Sequence, residues 1–204
     1  MALMSYSERY GREVVASRDF AVGEVLMREN PIAIAPHNVS FFHDATLEHP
    51  VVVSPCGLPS CFRPLRNATV VCDGCFWTQY CSERCRDADR PVHARMCCAR
   101  LLMSPKLALA ARVLASGVRF DHRLFSKAPL QALGTSTIEL LRSELVPRFT
   151  TATRTQADVV RTALVVAGNA FHLHTFVTRR IYGTAFYTLA RLLNHSVRIG
   201  VRFV

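Results

Sequence analysis

Lysine is nearly absent from this chain of 204 residues: two lysines stand against 23 arginines. Arginine reads carboxylates and phosphates through a planar fork, but a skewed codon usage explains the same count without any function. No run of 18 apolar residues occurs, so no membrane-spanning helix is expected. The opening Met1-Ala-Leu-Met-Ser-Tyr-Ser-Glu-Arg9 lacks the basic-then-apolar order of a secretory leader. A cytoplasmic or nuclear setting is therefore expected. No internal repeat appears, and no acidic residue follows Asp158. The formal charge of +10 is uneven: −3 over residues 1–55, +2 over residues 56–98 and +11 over residues 99–204. Such a bias can draw acidic partners or nucleic acid. It is spread out, however, with no dense basic cluster beyond Arg179-Arg180, so a solvated face explains it more simply and nucleic acid ranks last among partners. At 50% apolar residues, the chain can bury one core and a small satellite domain.

What is abundant is cysteine, in one place. Seven of the eight cysteines and one histidine fall within residues 56–97: Cys56, Cys61, Cys72, Cys75, Cys81, Cys85, His93 and Cys97. They come as pairs, Cys56-x4-Cys61, Cys72-x2-Cys75, Cys81-x3-Cys85 and His93-x3-Cys97. Zinc takes thiolate and imidazole four at a time in closed structural sites, so these ligands predict two Zn²⁺. Eight cysteines also permit a disulfide framework. The clustering, the histidine at ligand spacing and the expected reducing compartment favour metal. So few apolar residues cannot build a core, and each structural zinc would supply about 10 kcal/mol or more of folding free energy. Filled coordination leaves no position for water or substrate, which predicts a structural or docking role. Zinc loading would shift the stretch from +2 to −1, so it is not the basic part. Cys98 is the spare, expected as a small buried residue. Trp77 and Tyr80, between the second and third pairs, offer either an aromatic docking face or core packing.

The ligand order, with Tyr80-Cys81-Ser82-x-x-Cys85 and His93-x3-Cys97, resembles the MYND finger. The resemblance implies interleaved pairs: Cys56, Cys61, Cys81 and Cys85 on one zinc, and Cys72, Cys75, His93 and Cys97 on the other. The spacing after Cys56 is wider than the family's usual two residues. A proline-containing peptide is the partner it implies.

Around this stretch the sequence changes character. Residues 13–17, 23–28 and 31–35 read as short strands punctuated by Gly and Pro, and residues 36–55 as irregular. Helices are expected at 82–89, capped by Ser82, and at 91–100. Leu107, Ala110, Ala111 and Leu114 form a helical stripe. Ser136-Thr-Ile-Glu139 reads as a capping box opening a helix with Ile138, Leu141 and Leu145 on one face. Thr155-Gln-Ala-Asp158 opens another, with Val160, Ala163, Leu164 and Ala167 buried and Pro147 separating the two. A β element at 169–182 and a helical turn at 188–193 follow.

Gly11-Arg12-Glu13, the apolar run after it, Gly23-Glu24 and Glu29-Asn30-Pro31 resemble the opening of a SET domain. With the finger, the helices, Asn169-Ala-Phe171 and Leu193-Asn194-His195-Ser196, the order is similar to that of the SET and MYND domain-containing (SMYD) protein-lysine methyltransferases. The resemblance implies an α+β fold: a β-rich SET domain split by the two-zinc finger and followed by a helical insert. Its divisions would be residues 1–55, 56–98, 99–168 and 169–204, the last an incomplete SET segment. It implies S-adenosylmethionine along Gly11, Arg12 and Glu13 and against Asn169, Asn194 and His195, and methyl transfer to a lysine of a protein substrate, histones included. Two departures stand out. Glu13 replaces a family glycine, and the sequence after Ser196 carries neither the family's next motif nor its tyrosine. Tyr182 and Tyr187 do not match that tyrosine, so no catalytic residue is assigned. The alternative expectation is a non-catalytic interaction or transcriptional co-regulator module acting through the finger.

Overall fold

A computed structural model describes residues 2–8, 11–36, 54–65, 70–118, 129–174, 181–188 and 190. In the N-terminal part, β1 (Ala2–Ser7) and β2 (Gly11–Ala16) form an antiparallel hairpin. The expected strand at 23–28 is instead a turn at 22–23 followed by irregular chain. Gly23 adopts φ +85°, the Glu24 amide donates to the Ala21 carbonyl at 3.0 Å, and the Glu24 carboxylate accepts from the Ala21 amide at 3.1 Å. A glycine with positive φ ends an extended run at little steric cost. Strand β3 (Ala33–Pro36) follows.

Four two-residue strands build the finger: β4 (Ser54–Pro55) pairs with β5 (Pro64–Leu65), and β6 (Val70–Val71) with β7 (Gln79–Tyr80). Helix α1 (Glu83–Met96) begins at its expected cap, where the Ser82 hydroxyl accepts from the Cys85 amide at 3.3 Å. It runs through Pro91, where a break was expected. Pro91 and Asp87 both face solvent, so water can take up the carbonyl that the missing N–H leaves free. Short α2 (Ala99–Leu102) leads into α3 (Pro105–Ser116).

Helix α3 is the centre of the core. The sequence shows one apolar stripe on it, but every residue from Leu107 to Ala115 is buried, because α1, α6, β3 and β9 pack around it. Its C-terminal end is closed by Gly117 at φ +71° and by two arginines. Arg95 donates to the Ala115 carbonyl at 2.8 Å, and Arg154 to the Leu114 carbonyl at 3.3 Å, a use of cations that helix C-termini favour.

The chain is then helical from Thr135 to Phe149: α4 (Thr135–Leu140), a wider turn at Leu141–Leu145, and α5 (Val146–Phe149). The Ser136 capping box does not form; Gly134 precedes the helix without a side-chain cap. Pro147 lies inside this run, its ring and absent N–H accommodated by the wider turn before it. Helix α6 (Gln156–Asn169) does carry its capping box, with Thr155 Oγ1 accepting from the Asp158 amide at 3.2 Å. Its buried face is rotated from the expected one: Val159, Thr162, Ala163, Val165 and Val166 are buried, while Val160, Leu164 and Ala167 are half-buried.

Strands β8 (Ala170–His174) and β9 (Ile181–Phe186) complete the described fold. Strand β9 lies between β3 and β8, antiparallel to both, with Phe186 opposite Ala33 and Ala170. A strand from before the finger is thus paired with one from after the helices. Glu29 adds a second tie, accepting the amides of Thr188 at 2.6 Å and Ala190 at 2.8 Å. The expected helical turn at 188–193 lies mostly outside the described residues. No described helix is long and apolar enough to cross a membrane.

Candidate metal centres and the face of the finger

Each half of the finger places its ligands by a tight turn. In the first, the Cys61 and Phe62 amides both donate to the Leu58 carbonyl, at 3.0 and 2.9 Å. In the second, the Phe76 amide donates to the Cys72 carbonyl at 2.8 Å. The residue after the second cysteine of each pair is left-handed, Phe62 at φ +42° and Phe76 at φ +54°, a conformation that costs a non-glycine residue about 1 kcal/mol. Gly57 lets the two turns meet: its amide donates to the Gln79 carbonyl at 2.7 Å, and a Cβ there would lie 2.4 Å from Thr78 Cγ2.

Helix α1 contributes Cys85 and His93 from one face, and Cys97 closes its end. The result is two groups, Cys56, Cys61, Cys81 and Cys85, and Cys72, Cys75, His93 and Cys97, each with its ligand atoms within 4.8 Å of one another. This is the interleaved grouping. A zinc tetrahedron with bonds of about 2.3 Å to sulfur has edges of about 3.8 Å. Four separations are close to this, 3.7 Å for Cys61–Cys81, 3.4 Å for Cys81–Cys85, 3.7 Å for Cys72–Cys97 and 3.6 Å for Cys75–His93 Nε2, while Cys72–His93 Nε2 is shorter at 3.1 Å. All eight cysteines are free thiols.

The electrostatics call for a cation. Burial pushes the Cys56 thiol up to about 12, and burial, with the Cys72 sulfur beside it, does the same to Cys97. Thiolates so placed are unfavourable unless a divalent ion balances them. Burial also lowers the His93 pKa, and Arg112 adds to this against the opposing charge of Asp89. The imidazole is thereby kept neutral, the form that binds metal. Its Nε2 faces the cysteines, leaving the proton on Nδ1, which is buried without a hydrogen-bond acceptor among the described residues. The residues present fit two structural zinc ions with no coordination position left open.

Residues 56–97 match the family profile of the MYND finger. The match starts on the first ligand and ends on the last. A comparison with curated proteins gives no match. MYND fingers mediate protein–protein interactions, so the chain carries a zinc-dependent protein-interaction module.

The back of the MYND finger is fastened to the core by a group that sequence reasoning missed. Asp89 lies four residues from both Cys85 and His93, on the ligand face of α1. Its carboxylate accepts two bonds from Arg112 of α3, at 2.6 and 3.2 Å, and one from the Tyr80 hydroxyl at 2.9 Å. Arg112 also donates to the Gly57 carbonyl at 3.3 Å. Arg112 and Asp89 are 4% and 2% exposed. The only sequence signal was the i, i+4 spacing of residues 85, 89 and 93. On the other side, the Phe62 ring packs on Tyr182 with centroids 5.4 Å apart, and a Cβ on Gly183 would meet Phe62 at 2.7 Å.

This fastening decides which aromatics face solvent. Tyr80 is fully buried and Trp77 packs against the core, so the pair considered as a docking face points inward. Among the described aromatics of the finger, Phe76 is the exposed one, at 77%. Cys98 is half-buried, its thiol 3.5 Å from the Glu144 carboxylate.

Of the residues implied for S-adenosylmethionine, Gly11, Arg12 and Glu13 lie in β2, opposite Ser7, Tyr6 and Ser5. Asn169 ends α6, where its side-chain amide donates to the Val165 carbonyl at 2.7 Å, and leads into a different sheet. Asn194 and His195 lie outside the described residues.

Proposed function

We propose that this chain is a protein-interaction module whose zinc-built finger, held by the helical core in a fixed orientation, presents the knuckle around Phe76 to a partner. The observation that carries this reading is Phe76 itself. It is a large aromatic held exposed, in a left-handed conformation, on the turn that carries the ligands Cys72 and Cys75. The left-handed backbone belongs to the ligand turn, since Phe62 shares it, but an exposed aromatic ring is a cost that folding does not require, and rigid aromatics anchor interfaces at low entropic cost. Proline-containing peptides are the partner class implied by the family resemblance. The test is calorimetric titration of a panel of such peptides into zinc-loaded protein. Binding lost in Phe76→Ala, with both zincs retained, is the expected result. No binding across the panel, or undiminished binding by Phe76→Ala, overturns it.

A second reading is favoured by the pairing of β3 with β9. Segments on either side of the finger and helices share one sheet, as a SET domain split at residues 55 and 169 would require. On this reading residues 1–55 and 169–204 form the SET portion around the finger (56–98) and the helical insert (99–168), and the chain belongs with protein-lysine methyltransferases. Titration of S-adenosylmethionine into the zinc-loaded chain decides it: saturable binding weakened by Asn169→Ala supports it, and no binding removes it.

A further inference from the structure

The two metal quartets sit in unlike surroundings. Cys75 and His93 are 6% and 5% exposed, and Cys72, Cys75 and Cys97 pack with the main core around α3. The other quartet belongs to a satellite cluster of Cys56, Leu65 and Tyr80, against which Cys72 also packs; its Cys61, Cys81 and Cys85 are half-buried, as are Cys72 and Cys97 of the first. Charge separates them further. Four thiolates around Zn²⁺ leave a net −2, whereas three thiolates and a neutral imidazole leave −1. Charge and access govern attack on electrophilic oxygen, and the all-cysteine quartet has four sulfurs rather than three, with three of them half-buried rather than two. Within it, Cys81 Sγ stands 3.4 Å from Cys85 Sγ and 3.7 Å from Cys61 Sγ, a short movement from a disulfide bond of about 2.05 Å.

We propose that the Cys56, Cys61, Cys81 and Cys85 quartet is a site of reversible oxidation by hydroperoxides, centred on Cys81, while the His93 quartet keeps its metal. The Cys81 sulfur attacks the terminal hydroperoxide oxygen and the O–O bond breaks. Cys81 becomes a sulfenic acid, and the departing oxygen takes a proton to leave as water or an alcohol. The Cys61 or Cys85 thiolate then attacks the Cys81 sulfur, forming the S–S bond and expelling hydroxide, which is protonated to water. Two sulfurs together lose two electrons and the hydroperoxide gains two. With two of its four ligands gone, this zinc departs as Zn²⁺, and a thiol reductant restores the site. The second zinc and the Asp89–Arg112 pair remain, so the change is confined to the first turn, the start of α1 and the Phe62 contact with β9.

The experiment adds hydrogen peroxide in increments to protein holding two zincs. A chromogenic chelator follows zinc release, differential alkylation with mass spectrometry maps the oxidised cysteines, and amide exchange reports on α3. The expected result is one zinc released per chain, a disulfide that includes Cys81, and α3 protection unchanged. Release of both zincs together, a first disulfide between Cys72 and Cys97, or no release before general oxidation of methionine overturns it. Cys61→His, which keeps a ligand but removes one negative charge, is expected to slow release several-fold. An unchanged rate in that variant overturns the charge argument.

Discussion

Helix α3 and the finger solve the same problem by opposite means. Nine consecutive residues of α3 are buried, eight of them apolar, and helices and strands surround it. Burial of that much apolar surface needs no further support. The finger has strands of two residues and a satellite core of three buried side chains, one of which is the ligand Cys56. Such a core cannot offset the entropy of ordering about forty residues, so metal must do so. The comparison teaches where each half is vulnerable, and it locates the seam: Arg112 is the one charged residue in the buried run of α3, and it reaches into the finger.

Removing zinc is expected to have the largest effect. A strong chelator should abolish amide protection across residues 56–97 and with it any partner binding, while α6 stays protected. Each site is expected to contribute about 10 kcal/mol or more. Retained protection in a metal-free finger would break the comparison outright.

Cutting the seam comes next. Asp89→Ala leaves the Arg112 guanidinium buried without its partner, which costs about 3–5 kcal/mol, read as a fall in the urea midpoint. Replacing both members, Asp89→Leu with Arg112→Met, should recover much of that loss, because two apolar side chains leave no stranded charge. A single variant as stable as the parent would show that finger and core are independent. A smaller loss, about 1–3 kcal/mol, is expected from Gly183→Ala. Its Cβ would meet Phe62 at 2.7 Å and the Ala35 carbonyl oxygen at 3.1 Å, prising the first knuckle from β9. Phe62→Ala in the same chain should relieve the clash, which distinguishes crowding from intrinsic weakness of the strand.

The sequence made the metal centres easy to read and the seam hard. Ligand chemistry is local: pairs of cysteines at turn spacing announce themselves, and Ser82 and Thr155 announce the helices they cap. Asp89 and Arg112 are ordinary charges in the sequence, 23 positions apart, and only tertiary packing reveals that both are buried. The same lack of tertiary information explains the rotated face of α6 and the inward turn of Trp77 and Tyr80. An amphipathic stripe shows that a helix has a buried side, but the number of neighbours decides how wide that side is. Pro91 differs from expectation for a related reason: packing of α1 on α3 holds the helix through it, and water can take up the freed carbonyl on its exposed side.

The smallest expected effect sharpens the contrast from the other end. Thr155→Ala removes one half of the capping box on α6 and should cost about 1 kcal/mol. Thr155 is exposed, and its hydroxyl bonds to Asp158 among the described residues, through Oγ1 to the carboxylate at 2.7 Å and from the Asp158 amide at 3.2 Å. Stability measured by urea should therefore fall while zinc affinity, measured by competition with a calibrated chelator, stays the same. Asp89→Ala should lower both, because its carboxylate joins α1 and Tyr80 to α3. Two variants that each lower global stability but differ in zinc affinity would separate the part of the molecule held by burial from the part that burial and metal hold together. A matching drop in zinc affinity for Thr155→Ala would mean that the finger senses the stability of the whole core, and that the seam is broader than Arg112.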